Sequence, residues 1–332
     1  MRAIVQDRYG PPHAVLVPRE LPEPQPGAGE VRVRVVAAGI HAGDAHLVSG
    51  TPLLVRAMGY GLRRPKRAVP GTDVAGVVDA VGDGVVDAVG DGVSGIGVGD
   101  EVLGFASGAF AELAVAKASA LARRPAGLAW ERAAVVPTSG VTAVQALRAG
   151  AVGAGSRVLV TGAGGGVGTF AVQLAVAAGA DVTGLCSAAK VDLVRSLGVA
   201  RVVDAARDPD LGSEYDAIVD TGGSRPLDAL RRMLVRGGRL VIVGGEGGSR
   251  LLGPVTRLLG AAVRSPFVPQ RLIGLMASDD GDDLRALVAQ VATGRTTPVV
   301  DRVWPLEDAA EALAYVGQGR ARGKVALRIA RN

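Results

Sequence analysis

The chain has 332 residues, of which 48% are hydrophobic and only 3% aromatic, with 49 glycines, a net charge of +5 and one cysteine, Cys186. That length exceeds what one small core organises, so two domains are expected; a lone cysteine excludes an intramolecular disulfide and a cysteine-rich zinc site. No run approaches the ~20 apolar residues that span a bilayer, and the opening MRAIVQDRYG lacks the apolar core of a signal peptide, so a cytoplasmic protein without a membrane partner is expected.

Residues 1 to about 120 read as short strands, VRVRVVAAG (31–39), VAGVVDAVG (74–82), DEVLGF (100–105) and FAELAVA (110–116), parted by connectors such as PEPQPGAGE (22–30). That spacing predicts an all-β, barrel-like region. Lysines number only four, and the basic residues are scattered apart from Arg63, Arg64, Lys66 and Arg67. With no aromatics interleaved, this cluster lacks the stacking partners of a single-strand binder. It reads as a solvated or anion-facing loop, and no nucleic acid is expected. The octapeptide VVDAVGDG occurs at 77–84 and again at 85–92. Eight residues preserve the two-face alternation of a strand, and Gly-Asp-Gly at 82–84 offers a hairpin turn, so the second copy reads as a tolerated surface insertion.

From about 130 the period changes. ERAAVVPTSGVTAVQALRAG reads as helix, turn and helix; strands at 157–161, 181–186, 201–204, 216–220 and 239–243 then alternate with helices at 168–179, 189–197 and 225–235. This is the pattern of a doubly wound parallel sheet. The tail reads as helix 280–293, strand 299–303, helix 306–317 behind Pro305, and strand 324–329.

The most informative stretch is VLVTGAGGGVGT at 158–169, a β-branched run that stops at five glycines and opens a helix. Gly162, Gly165 and Gly168 give GxxGxxG spacing; the stricter GxGxxG would begin at Ala163. Between this strand and this helix, backbone N–H groups and the positive end of the helix dipole can hold a pyrophosphate, with Gly162, Gly165, Gly166, Val167 and Gly168 as its cradle. The plain alternative is a glycine-rich turn in an ordinary βαβ unit.

Taken together, AAGIHAGDAHLVSG (37–50), PGTDVAGVV (70–78), GDEVLG (99–104), AFAELAVA (109–116), AAVVPTSGVTAVQAL (133–147), the glycine turn, GGRLVIVGG (237–245) and ARGKVALRI (321–329) resemble, in order, the medium-chain dehydrogenases/reductases, in particular their zinc-independent quinone oxidoreductase branch. The resemblance implies an α/β protein with a GroES-like, partly open β-barrel catalytic domain (1–125 and 265–332) and a Rossmann domain (126–264). It also implies an active site in the cleft between them and a homodimer. Zinc-dependent members carry Cys where His41 stands and His-Glu where Thr72-Asp73 stands. Thiolate and imidazole are what a catalytic zinc needs, so no metal is expected; a replacement site would have to use His41, Asp44, His46 and Asp73. The zinc-independent branch usually has Asn at the position of His41 and retains Asp44. His41 reads equally as a proton donor and as a packing or cap residue; Asp44 is its catalytic neighbour, and the proton is expected from His41, from Tyr60 or from water.

An NAD site wants an acid at the end of the second strand. Here that strand ends at Cys186-Ser187, and Ser187 with Lys190 suits a 2′-phosphate, so NADPH is the expected cofactor. By resemblance, Thr138 and Thr142 approach the nicotinamide ribose and phosphates, Gly222 the adenosine side, Val243 and Gly244 the carboxamide, and Phe267 and Lys324 line the cofactor and the cleft. The expected reaction is NADPH-dependent reduction of a small quinone or activated α,β-unsaturated carbonyl. The alternatives are an enoyl-thioester or specialised-pathway enone reductase and, from another class, a non-catalytic nucleotide- or RNA-binding protein.

Overall fold

The alternation in VRVRVVAAG sends Val31, Val33 and Val35 into the core and leaves Arg34 in water, which is the signature of a sheet with one buried face. A computed structural model describes residues 1–84, 95–207, 211–243 and 255–329, so the second octapeptide copy and Gly244 lie outside the described residues. Two units emerge: one of residues 1–138, 279–292 and 300 onward, the other of 139–278 and 293–299.

In the first unit, β1 (Arg2–Val5) and β2 (Val17–Glu20) form a two-stranded ribbon. The main sheet contains β3 (Glu30–Ile40), β4 (Asp73–Val81), β5 (Glu101–Phe105), β6 (Leu113–Lys117) and β7 (Leu121–Arg123). In the second unit are β8 (Arg157–Thr161), β9 (Asp181–Cys186), β10 (Arg201–Asp204), β11 (Tyr215–Asp220), β12 (Leu234–Ile242) and β13 (Arg271–Gly274). The chain then returns to the first with β14 (Val300–Pro305) and β15 (Lys324–Arg328).

Among the described residues the first unit's sheet runs β14-β15-β3-β4-β5-β7, with β6 also paired to β3; it is open. All its pairs are antiparallel except β14 with β15. Its core gathers Val33, Val35, Val74, Val102, Phe110, Leu121, Leu313 and Leu327.

The second unit's sheet is parallel throughout, in the order β10-β9-β8-β11-β12-β13. This is the doubly wound order with its switch point between β8 and β11. Strands covered on both faces become apolar runs, and Val158, Leu159 and Val160 are all buried. The helix Gly166–Ala177 starts two residues earlier than its apolar pattern suggests, because Gly165 caps it in extended conformation. Among the described residues no helix is long and apolar enough to cross a membrane.

The unit boundaries differ from those expected. Residues 126–138 join the first unit, where helix Trp130–Ala134 packs on β3 and β4. The second unit extends to 278, because helix Val255–Arg264 and β13 extend its sheet beside β12. Residues 293–299 also join the second unit, where Gln173 clamps Thr297 by donating to its carbonyl (3.1 Å) and accepting its N–H (2.8 Å).

Helix Gly166–Ala177 presses against the glycine turn at one point: a Cβ on Gly168 would stand 2.1 Å from the Gly162 carbonyl oxygen, whereas one on Gly165 would meet the same oxygen at 3.2 Å. Gly168→Ala should therefore destabilise the protein by about 1–3 kcal/mol, the cost of overpacking, although alanine gains ~1 kcal/mol over glycine inside a helix. Gly165→Ala should cost much less. Urea midpoints at constant m-value check this; equal midpoints for the two variants would show that the helix is not held against the turn.

Candidate active site

In the first unit, β3 ends at Ile40 and the chain turns at once into helix Ala42–Ser49, with His41 as its N-cap. The Asp44 carboxylate, on the first turn, accepts the His41 backbone N–H at 2.9 Å. The ring edge bearing Nδ1 faces the same turn, since a Cβ on Gly43 would lie 2.7 Å from Nδ1. Ring and carboxylate close a capping box. With Nδ1 accepting from the helix, a neutral ring carries its proton on Nε2. Nε2 stands 3.0 Å from Thr72 Oγ1 and 3.5 Å from Asp44 Oδ1.

Asp73 opens β4 opposite Gly39 and is fully buried. The Thr138 hydroxyl donates to its Oδ1 at 2.5 Å and the Thr138 N–H to its Oδ2 at 3.2 Å; the Thr72 hydroxyl approaches Oδ1 at 3.5 Å. Lys324 opens β15, whose antiparallel register sets Val325 against Ile40. Its Nζ donates to the Ile40 carbonyl at 2.8 Å and lies 4.0 Å from Asp73 Oδ2, with the side chain only 2% exposed.

Burial governs how this cluster titrates. Desolvation pushes His41 down to about 4, with Asp73 opposing and Lys324 assisting. It pushes Asp44 up to about 7, against the His41 N–H and Lys324. Burial likewise raises Asp73 and lowers Lys324, each opposed by the other's charge. At neutral pH His41 is therefore an uncharged imidazole with its side chain 14% exposed, and Asp44 is partly protonated.

This donor set does not fit a zinc ion. Asp73 is held by the Thr138 hydroxyl and N–H, and an ammonium already stands beside that carboxylate. Among the described residues no group of three or more His, Cys, Asp and Glu side chains could hold a metal ion.

In the second unit, the switch point is organised by Asp220, the last residue of β11. Thr161 Oγ1 donates to Asp220 Oδ1 at 2.5 Å, the Gly223 N–H reaches the same oxygen at 3.1 Å, and Arg257 Nη2 donates to Oδ2 at 2.5 Å. The Gly222 N–H approaches Thr161 Oγ1 at 3.3 Å, and the Val243 N–H donates to the Asp220 carbonyl at 3.0 Å. Gly166, Val167 and Gly168 are the first three helical residues, so their N–H groups have no acceptor within the helix and are available to an anion. Lys190 lays its stem across the turn: a Cβ on Gly164 would lie 2.7 Å from Lys190 Cβ. Ser187 beside it is exposed.

Some of the expected residues stand elsewhere or act otherwise. Lys324 is not a surface lysine: it is buried, its ammonium donating to the Ile40 carbonyl and lying 4.0 Å from Asp73. The Thr138 hydroxyl is turned to Asp73. Tyr60 is 43% exposed, and among the described residues no hydrogen bond joins its phenol to the His41 cluster; its carbonyl accepts the Tyr9 hydroxyl and the Lys66 N–H, each at 2.9 Å. Phe267 is 84% exposed, in a short 3₁₀ turn after helix Val255–Arg264. Thr142 is buried within helix Pro137–Ala149. Arg257 was missed, and no local signal marks it: its partner lies 37 residues away.

Residues 27–126 match the family model described as the alcohol dehydrogenase GroES-like domain, and residues 197–327 that of a zinc-binding dehydrogenase. The chloroplast envelope quinone oxidoreductase homolog of Arabidopsis thaliana is 31% identical over 341 residues, covering 98% of this chain and 97% of its own. Among solved structures, the quinone oxidoreductase from Coxiella burnetii aligns with a TM-score of 0.83 at 25% identity over 99% of both chains. A mycobacterial protein complexed with NADPH aligns with a TM-score of 0.81 at 29% identity, covering 99% of this chain and 100% of its own.

The two titrations oppose one another. Between about pH 4 and 6.5 the unfolded chain protonates a histidine that the fold keeps neutral, so His41 adds stability as pH rises. From about 3.8 to 7 the fold keeps a proton that unfolded Asp44 releases, so Asp44 removes stability as pH rises. Each slope is about 1.4 kcal/mol per pH unit at most, and in the native protein they nearly cancel. Relative to the native protein, Asp44→Asn should gain stability from pH 4.5 to 6, and His41→Asn should lose it. Urea unfolding at both pH values tests the signs; parallel curves for all three proteins would overturn the assignment.

Proposed function

The chain is an oxidoreductase of the medium-chain dehydrogenase/reductase superfamily, in its quinone oxidoreductase branch, and from that premise we propose that it reduces a quinone or an activated α,β-unsaturated carbonyl with NADPH and without a metal ion. The observation that carries this reading is Lys324, an ammonium buried beside Asp73 where a zinc enzyme would need a free carboxylate and a thiolate. Without a Lewis acid, an alcohol lacks the polarisation that its oxidation needs. A quinone or enone is already electrophilic and needs chiefly proximity and orientation.

The N–H groups of Gly166, Val167 and Gly168, approached through Gly162 and Gly165, would hold the pyrophosphate, and Ser187 with Lys190 the 2′-phosphate. When bound, NADPH supplies the hydride. His41 donates its Nε2–H, as a neutral group, to the substrate's carbonyl oxygen, taking the place of a Lewis acid; a histidine held neutral at a helix start is suited to this. The proton that completes the reduction comes from water. Asp44 sets when His41 is available, because its ionised carboxylate, 3.5 Å from Nε2, competes for the same proton.

NADPH consumption with a panel of quinones and enones, in the presence of a chelator, tests the reading; no turnover of any member would overturn it. On an accepted substrate, kcat should fall above about pH 7 as Asp44 ionises, and Asp44→Asn should remove that limb. His41→Ala should lower kcat by ~10²–10³, the effect of losing one oxyanion donor, whereas His41→Asn should retain activity.

Cofactor preference should follow Lys190. Lys190→Ala should weaken NADPH binding by ~10–100-fold, about 1.5–3 kcal/mol for a charge-assisted contact, and leave NADH binding unchanged. Equal dissociation constants of the two cofactors for the native protein would refute a 2′-phosphate site.

A further inference from the structure

Asp220 sets up a conflict of sign within the second unit. Its side chain is 1% exposed, so water screens its charge poorly. The carboxylate stands one residue from the glycine turn: Thr161, whose hydroxyl donates to Asp220 Oδ1 at 2.5 Å, leads directly into Gly162. The loop that follows Asp220 touches the turn itself. Thr221 Oγ1 donates to the Thr161 carbonyl at 2.7 Å. A Cβ on Gly162 would lie 2.5 Å from Thr221 Oγ1 and 2.9 Å from the Gly222 nitrogen. The carboxylate therefore shapes one wall of the turn, and by its charge it repels any anion that settles there.

The Thr161 hydroxyl and the Gly223 N–H that bind Oδ1 are neutral donors, so they fix the carboxylate without cancelling its charge. Arg257 is the cation that pairs with it among the described residues. Its Nη2 donates to Asp220 Oδ2 at 2.5 Å and its Nη1 to the Arg225 carbonyl at 2.8 Å. One guanidinium thus holds the loop 220–225 at both ends and removes the negative charge from beside the turn. We propose that Arg257 is a positioning residue for the dinucleotide and acts through Asp220, cancelling the carboxylate so that a pyrophosphate can rest on the first turn of helix Gly166–Ala177. The proposal rests on the cofactor reading above and deepens it. NADPH and NADH share the pyrophosphate, so Arg257 governs the binding of both, whereas Lys190 discriminates between them.

The test is equilibrium binding of NADPH and of NADH, read from nicotinamide fluorescence. It compares the native protein with Arg257→Gln, Asp220→Asn and the double variant Asp220→Asn/Arg257→Gln. Glutamine keeps an amide donor at position 257, and asparagine keeps a carbonyl oxygen for Thr161 and Gly223, so the four proteins differ chiefly in charge. Arg257→Gln should weaken both cofactors by at least ~10-fold, the scale of one uncompensated charge in a partly screened site. The double variant restores neutrality and should return both to within about threefold of the native protein. Asp220→Asn alone leaves the guanidinium uncompensated and should bind both cofactors no more weakly than the native protein. A role confined to holding the loop predicts the reverse, a double variant at least as impaired as Arg257→Gln. Neutral replacement of both members of a buried pair is tolerated better than removal of one. If thermal melting shows Arg257→Gln unfolded, the other two variants therefore decide, and weaker binding by either overturns the proposal. Unchanged binding in a folded Arg257→Gln, weakening of NADPH alone, or no recovery in the double variant would overturn the proposal and leave the reductase reading intact. The expected order of affinities without turnover of any quinone or enone would overturn the reductase reading alone. Binding of neither cofactor by the native protein would overturn both.

Discussion

An ammonium cannot be buried alone, and the first unit is arranged around that constraint. Removing Lys324 from water costs several kcal/mol unless a carboxylate and further hydrogen bonds compensate. Asp73 and the Ile40 carbonyl supply the compensation. Asp73 in turn needs donors for its own oxygens and takes them from Thr138. Four chain-distant points, the end of β3, the start of β4, the start of helix Pro137–Ala149 and the start of β15, are thereby bound to one another. His41 inherits its place from this, since the peptide that leads into it is the one whose carbonyl Lys324 holds. Burial is the main force against a charge on the imidazole, and the Lys324 ammonium that holds its leading peptide adds to it.

The second unit applies the same logic to a different end. Asp220 is buried at the switch point and is neutralised by Arg257, a partner from a helix far along the chain. Its Oδ1 gathers the Thr161 hydroxyl and the Gly223 N–H, while its carbonyl takes the Val243 N–H. The ends of β8, β11 and β12 are therefore fixed by protein groups alone. What remains unpartnered is the first turn of helix Gly166–Ala177, whose N–H groups have no intrahelical acceptor. Among the described residues those donors are backbone groups, which a ligand can satisfy without displacing the contacts of Asp220.

How much of this is legible in the sequence depends on how local each cause is. The alternation of Val31, Val33 and Val35 and the apolar run Val158–Val160 give strand positions to within a residue or two, because side-chain period is a local property. The glycine turn is legible for the same reason: Gly162, Gly165 and Gly168 are adjacent, and the site is made of backbone. Strand β13 and helix Val255–Arg264 are not legible, since the pairing of β13 with β12 rests on the sheet and not on a pattern in its own residues. The resemblance places Lys324 and Thr138 at the cofactor, but no local pattern announces the contacts they make within the first unit: the register of β15 on β3 brings Lys324 to Ile40 and Asp73, and Thr138 meets Asp73 across 65 residues. The duplicated octapeptide is plain in the sequence, but its second copy lies outside the described residues.

His41 shows why residue type alone misleads about chemistry. In sequence it is a titratable group where related chains usually have Asn, which invites a charged proton donor. In the structure, burial, the helix start and Lys324 all act against the imidazolium, with only Asp73 and Asp279 opposing them. What is left at neutral pH is a planar side chain with one N–H pointing toward Thr72 and Asp44. An asparagine amide presents an N–H of the same kind and charge. The substitution that looks radical in the alphabet of side chains therefore keeps a neutral polar group at this position, and the carboxyl that burial lifts into the neutral range is that of Asp44.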